Sequence, residues 1–146
     1  MYNMSMSNAI PMTILLVEDD EVDIMNVKRA FKKNNISNPL VIAHNGIEAL
    51  EVLRSTAVDA PKPKIVLLDL NMPKMGGIEF LKEIRVDPDL SSLSVFVITT
   101  SNEDGDKIDA FNLNVAGYIL KPLSMDRFIA AVSTLNSYWT LCEFPD

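Results

Sequence analysis

Residues 65–69, Ile-Val-Leu-Leu-Asp, place an acid directly after four large apolar residues. An apolar run without polar alternation predicts a β-strand that is covered on both faces, which is the usual state of a parallel sheet. The acid would then lie at the carboxyl edge of that sheet. Runs of this kind recur along the chain and predict five strands: Ile14–Val17, Leu40–Ala43, Ile65–Leu68, Val95–Ile98 and Val115–Leu120.

The segments between these runs carry apolar residues at helical spacing. Strands that alternate with helices predict an α/β fold, a (βα)5 doubly wound parallel sheet, because right-handed crossovers place helices on both faces. The clearest apolar stripe lies near the C-terminus and consists of Phe128, Val132, Leu135 and Trp139. The weakest helix is predicted over residues 104–113, where the candidate buried positions are Ile108, Phe111 and Leu113.

The composition predicts one globular domain with an acidic surface. Of the 146 residues, 48% are hydrophobic and 23% are charged, which excludes a disordered chain. The net charge of −7 argues against binding to nucleic acid or to an anionic membrane surface. The single cysteine, Cys142, excludes a disulfide framework, and no apolar run is long enough to span a membrane. We therefore expect a cytoplasmic protein with a flexible leader at residues 1–11.

Polar residues follow most of the predicted strands and should meet at the carboxyl edge, where open α/β sheets bind ligands. Carboxylates that share one cleft repel each other, and a single lysine cannot balance them. A hard divalent cation such as Mg²⁺ can do so, with Asp19, Asp69 and a backbone carbonyl as ligands. A hydroxyl and an ammonium group complete a site suited to phosphoryl transfer, in which Asp69 is the candidate nucleophile. The residues concerned are Glu18, Asp19, Asp20, Asp69, Thr99 and Lys121.

Four segments together resemble the receiver domain of two-component response regulators, over roughly residues 12–137. They are Leu15–Asp20, Leu67–Pro73, Val97–Thr100 and Gly117–Pro122. The resemblance implies the strand order 2-1-3-4-5. It also implies a single-domain response regulator that accepts a phosphoryl group from a partner histidine kinase and changes its protein contacts in a phosphorelay. Its chemistry would be limited to its own phosphorylation and dephosphorylation, so it would not be an enzyme for external substrates.

The resemblance also implies roles for individual residues. Asp69 would be the phosphoacceptor, and Lys121 would pair with the phosphoryl group. Thr99 would turn its hydroxyl toward the same oxygens and vacate a space that Tyr118 can enter, which gives the switch two discrete packings. The peptide between Lys121 and Pro122 is expected to be cis. The ligands of Mg²⁺, or of Mn²⁺, would be Glu18, Asp19, Asp69 and the backbone carbonyl of Asn71.

Other functions are possible on a sheet of this kind. A Mg²⁺-dependent phosphohydrolase of the haloacid dehalogenase type needs a second acid two residues after its nucleophile, where this chain has Asn71. A flavodoxin-like electron carrier needs a loop rich in Gly, Ser and Thr after the first strand, where this chain has acids at Glu18, Asp19 and Asp20. A receiver that works without phosphorylation is a third interpretation, although the acceptor, the acids, the threonine and the lysine are all present.

The end of the chain, residues 138–146, is predicted to form a tail with exposed apolar side chains. Helical neighbours one and two residues apart point in different directions, so these side chains cannot all face one core. Exposed rings on an acidic protein favour a homodimer through the final helix and tail, and the alternative is a tail that folds back over the helix. Together with the lengthened loop before the third strand and the sequence Thr99–Ser101, this end also resembles the stand-alone regulators paired with bacterial phytochrome kinases. The dimer candidates are Tyr138, Trp139, Leu141 and Phe144.

Overall fold

The computed structural model describes residues 12–121 and 124–144 of the chain. Within these residues, five strands alternate with five helices. The strands are β1 (Ile14–Val17), β2 (Leu40–Ala43), β3 (Ile65–Leu68), β4 (Ser94–Thr99) and β5 (Gly117–Leu120). The helices are α1 (Glu21–Lys33), α2 (Gly46–Arg54), α3 (Gly77–Val86), α4 (Asp104–Asn112) and α5 (Met125–Leu141). The predicted leader, Pro122 with its expected cis peptide, and the last two residues of the tail lie outside the described residues.

The strands form a parallel sheet in the order β2-β1-β3-β4-β5. This order confirms the predicted doubly wound α/β fold. Val17 of β1 is in register with Leu68 of β3, so these central strands end side by side. The chain runs from β1 to β2 on one side and then to β3 on the other. The crevice at the ends of β1 and β3 is therefore the switch point at which α/β sheets bind ligands.

Alternate residues of the central strands pack on opposite faces of the sheet. Leu15 and Leu68 belong to a cluster with α2, α3 and α4, whereas Leu16 and Leu67 belong to a cluster with α1 and α5. All four side chains are buried. Because both faces are covered, the strands need no polar alternation, which explains why continuous apolar runs located β1, β2 and β3 to the residue. β4 is one residue longer at each end than predicted, and β5 begins at Gly117 rather than at Val115.

Asp20 begins α1 as its N-terminal cap. Its Oδ1 accepts hydrogen bonds from the N–H groups of Val22 at 2.8 Å and Asp23 at 3.1 Å. A capping carboxylate satisfies free N–H groups at the positive end of the helix dipole. The cap fixes the first turn of α1 beside the end of β1, and with it the backbone of Asp23.

The C-terminal helix α5 turns only part of its apolar surface outward. Trp139 is 2% exposed, its ring centroid lies 6.3 Å from that of Phe31, and its indole N–H donates to Asn136 Oδ1 at 2.9 Å. Phe144 packs against the same cluster. Trp139 thus faces the core, as the apolar stripe predicted, and its additional role as a dimer candidate was wrong because its ring belongs to the chain's own core. Tyr138 is 50% exposed.

The prediction for α4 was correct in its position and wrong in its buried face. Of its residues, all of which the structure describes, Ala110 is fully buried. Ile108 and Phe111 are 59% and 54% exposed, and Leu113, just after the helix, is half-buried. The helix therefore contacts the sheet through a small residue and leaves larger apolar side chains outside. In residues 12–121 and 124–144, no helix combines the length and apolar character that a membrane span requires.

Candidate functional site

Four strand ends bring the predicted polar residues to the carboxyl edge of the sheet. Glu18 follows β1 and Asp69 follows β3. Thr99 ends β4 and Lys121 follows β5, with the Lys121 N–H donating to the Thr99 carbonyl at 2.8 Å. Glu18, Asp69 and Thr99 are buried at 4%, 7% and 0% exposure, whereas Asp19 is exposed. The structure thus places inner and outer carboxylates side by side at one crevice.

Glu18, Asp19 and Asp69 form a carboxylate cluster. Each residue offers one oxygen atom, and these oxygens all lie within 4.8 Å of one another. Asn71 lines the same open cavity, whose volume is about 530 Å³. Hard oxygen donors that leave part of the coordination shell to water suit Mg²⁺ and Mn²⁺. The residues present therefore fit a divalent cation.

The Glu18 carboxyl group is harder to ionise than an exposed glutamate. Burial raises the pKa of its carboxyl group from 4.5 to about 7, and the neighbouring Asp69 carboxylate contributes to that rise. Two donors act in the opposite direction: the Asp20 N–H at 3.1 Å from Oε1 and the Lys121 ammonium at 3.0 Å from Oε2. Any additional positive charge at the cluster favours the ionised carboxylate.

Lys121 pairs with two carboxylates, one of which the sequence analysis missed. Its Nζ lies 3.0 Å from Glu18 Oε2 and 2.7 Å from Asp23 Oδ2. Burial lowers the pKa of Lys121, but the hydrogen bonds to Asp23 and Glu18 outweigh it and hold that pKa above its usual value. Among the described contacts, none joins Lys121 to Asp69. Asp23 lies in the first turn of α1, directly after the acids that follow β1, and this nearness is the one sequence signal that could have indicated it.

The connection after β3 leaves no room for a side chain at Gly77. A Cβ there would lie 2.7 Å from both the Asp69 carbonyl oxygen and the Leu70 Cα, so only glycine fits without a shift of the backbone. The Gly77 N–H donates to the Leu70 carbonyl at 3.0 Å. The first turn of α3 therefore supports the segment that carries the Asp69 carboxylate.

Thr99 and Tyr118 are both linked to the backbone of Ser101. Thr99 Oγ1 accepts from the Ser101 N–H at 3.3 Å and from the Leu70 N–H at 3.4 Å. The Tyr118 hydroxyl donates to the Ser101 carbonyl at 2.9 Å, and its ring stacks on Phe111 at 6.3 Å. Burial raises the pKa of Tyr118. The two predicted switch residues thus share one backbone segment, a connection that the sequence did not indicate.

Comparison with known proteins gives one consistent result. A profile described as the response regulator receiver domain matches residues 14–133. The response regulator Rcp1 of Synechocystis sp. is 36% identical over 131 residues, which cover 88% of this chain and 89% of Rcp1. The solved structure of the phosphorylated cyanobacterial phytochrome response regulator RcpA superposes with a TM-score of 0.84 at 32% identity, covering 93% of this chain and 99% of that one. The Mn²⁺-bound form of Rcp1 superposes with a TM-score of 0.83 at 34% identity, covering 93% of this chain and 100% of that one.

Proposed function

The chain belongs to the response regulator receiver domain family, and we propose that it works as a single-domain regulator phosphorylated on Asp69 by a histidine kinase. The observation that carries this proposal is the position of Asp69. It is a buried acid at the switch point of the sheet, in a cluster with Glu18 and Asp19. The next residue along the chain is Leu70, whose backbone N–H donates to Thr99 Oγ1. Residues 12–137 would form this receiver domain.

The phosphoryl transfer itself needs one nucleophile from this chain. An Asp69 carboxylate oxygen attacks the phosphorus of the donor phosphohistidine, the new P–O bond forms, and the P–N bond breaks. The imidazole leaves with the bonding electron pair and takes up a proton. Asp69 is 7% exposed but lines the open cavity of about 530 Å³, so the donor phosphohistidine can reach its carboxylate from that side. We infer no turnover of external phosphoesters, because Asn71 cannot act as the acid that such an enzyme needs at its position.

A divalent cation completes the charge balance of this site. We propose that Glu18, Asp19 and Asp69 hold Mg²⁺ or Mn²⁺, with the backbone carbonyl of Asn71 as a further ligand. Support comes from the oxygen cluster and from the relative Rcp1, whose structure contains Mn²⁺. When bound, the cation neutralises charge on the carboxylates and on the phosphoryl oxygens. Glu18 then contributes as an ionised ligand, because the added positive charge lowers its pKa.

The response to phosphorylation would use Thr99, Lys121 and Tyr118. Thr99 Oγ1 already accepts hydrogen bonds from two backbone N–H groups, so the hydroxyl is available as a donor to a phosphoryl oxygen. Turning this hydroxyl breaks its bond to the Ser101 N–H, and the Ser101 carbonyl is where Tyr118 is anchored. A change at Thr99 thereby reaches Tyr118 and the exposed face of α4 and β5.

The proposed partners follow from the relatives and from the charge of the chain. RcpA, to which this chain is similar, is a cyanobacterial phytochrome response regulator, so we propose a phytochrome-type histidine kinase as phosphodonor in the cytoplasm. The net charge of −7 supports protein rather than nucleic-acid targets. Exposed Tyr138 and Leu141 support a homodimer.

The proposed phosphoacceptor is tested with a small phosphodonor. Acetyl phosphate and Mg²⁺ should add one phosphoryl group to the parent protein, and Asp69→Asn should abolish the mass increase because the amide is not a nucleophile for phosphorus. Asp109→Asn, an exposed acid on α4, is the matched control and should be labelled like the parent. Intact-mass spectrometry measures the outcome. Undiminished labelling of Asp69→Asn would overturn the assignment.

A further inference from the structure

The first turn of α1 presents a carboxylate to the lysine that the proposed switch uses. Asp23 Oδ2 is 2.7 Å from Lys121 Nζ, closer than Glu18 Oε2 at 3.0 Å. The Lys121 side chain is 13% exposed and that of Asp23 is 32% exposed, so water reaches this ion pair only in part. The Asp20 cap holds the Asp23 backbone in place. The contact is thus a fixed link between α1 and the chain after β5.

A phosphoryl group on Asp69 would compete for the same ammonium. The ammonium has three protons to donate, and phosphoryl oxygens are strong charged acceptors. Asp23, Asp69 and Lys121 all line one cavity of about 450 Å³, which gives the ammonium room to move between the two acids. We propose that Asp23 is a positioning residue that holds Lys121 in the unphosphorylated protein and competes with the phosphoryl group for it. This inference rests on the proposed function, because it requires Asp69 to be the phosphoacceptor.

Asp23 becomes more important as a cation binds. Glu18 is the other carboxylate on Lys121, and it also belongs to the cluster that fits the cation. A cation bound to Glu18 weakens the attraction between Glu18 and the ammonium. Asp23 lies outside the cluster, so its attraction for Lys121 is not shared with the cation. When the cation is bound, the contact with Asp23 is therefore the main one that Lys121 must break to reach the phosphoryl group.

The test measures how tightly each variant binds beryllofluoride, a phosphoryl mimic that adds to an aspartate carboxylate, in the presence of Mg²⁺. Asp23→Asn keeps the shape of the side chain and removes its charge, so Lys121 moves at lower cost and the affinity should rise about three- to tenfold. Glu21→Gln is the matched control, because it removes the same charge from the same helical turn. The Glu21 side chain is 75% exposed and contacts His44 at 3.4 Å. The affinity of Glu21→Gln for beryllofluoride should stay within about twofold of that of the parent.

A double-mutant cycle with Lys121→Met shows whether Asp23 acts through the lysine. In that background, Asp23→Asn should raise the affinity no more than Glu21→Gln does. Denaturant unfolding of each variant establishes that every measured protein is folded. Equal affinities of Asp23→Asn and Glu21→Gln, or an Asp23→Asn effect that persists with Lys121→Met, would overturn the proposal. Equal binding of beryllofluoride by Asp69→Asn and the parent would instead overturn the proposed function and this inference with it.

Discussion

The buried Glu18 carboxyl group makes the folded protein less stable as the pH rises toward neutral, even with Lys121 in contact. Its carboxyl group is 4% exposed, and burial raises its pKa from 4.5 to about 7. Between these two values the folded protein keeps a proton that the unfolded chain has released. The free energy of unfolding therefore falls as the pH rises through this window. Above pH 7 the full difference applies, on the order of 3 kcal/mol.

Glu18→Gln should remove this pH dependence. In buffer with EDTA, the free energy of unfolding of the variant should exceed that of the parent near pH 7.5 by up to about 3 kcal/mol, and the difference should shrink toward pH 4.5. Urea denaturation at several pH values measures it. Glu51→Gln, an exposed acid on α2, should leave the parent's curve unchanged. Mg²⁺ should stabilise the parent more than it stabilises Glu18→Gln. The prediction would be contradicted if the free energies of unfolding of the two proteins changed with pH in parallel.

Single residues were predictable from the sequence where strand geometry alone decides their position. Glu18, Asp69 and Thr99 end up together because parallel strands bring their carboxyl ends to one edge. Asp23 was not predictable in the same way, because its contact with Lys121 joins a helix to a distant strand end. That contact depends on how α1 lies on the sheet, and apolar spacing does not specify it.

The connection between β3 and α3 is the element on which the position of Asp69 depends. Gly77→Ala should lower the free energy of unfolding by about 1–3 kcal/mol, because the new methyl group meets backbone atoms at 2.7 Å. It should also shift the backbone amide resonances of Asp69 and Leu70. Gly76→Ala is the neighbouring control, since its methyl group would lie 3.4 Å from the nearest atom, the Leu70 carbonyl oxygen. Urea denaturation and NMR measure both effects, and equal losses in the two variants would contradict the proposed close approach.

The helix α4 shows where apolar spacing is a poor guide to burial. Its few apolar residues do not define one stripe, so the largest ones were predicted to face the core. The structure buries Ala110 instead, because a small side chain lets the helix lie close to the sheet. Phe111 stays exposed and stacks on Tyr118, which associates it with the proposed switch.

At the scale of the whole molecule, the fold was predictable because every strand contains a short apolar run and both faces of the sheet are covered. Both apolar clusters draw on alternate residues of the same central strands, so the two helical layers pack on one shared sheet. Binding partners contact the surface that remains exposed after the two layers have packed on the sheet. The end of α5 is one such surface, because Tyr138 is 50% and Leu141 is 86% exposed there.

Leu141→Glu should weaken self-association of the protein. Tyr138 and Leu141 are three residues apart on α5 and lie on one face, so two copies can bring these side chains together across a twofold axis. Because Leu141 is exposed and Trp139 fills the core beside it, a charge at Leu141 should leave the core intact. The same charge should raise the dimer dissociation constant about tenfold or more. Light scattering over a concentration series, with and without acetyl phosphate and Mg²⁺, measures this change. Val58→Glu, at a fully exposed position between α2 and β3, should associate like the parent. A parent that stays monomeric under every condition would show that this face of α5 does not form a dimer.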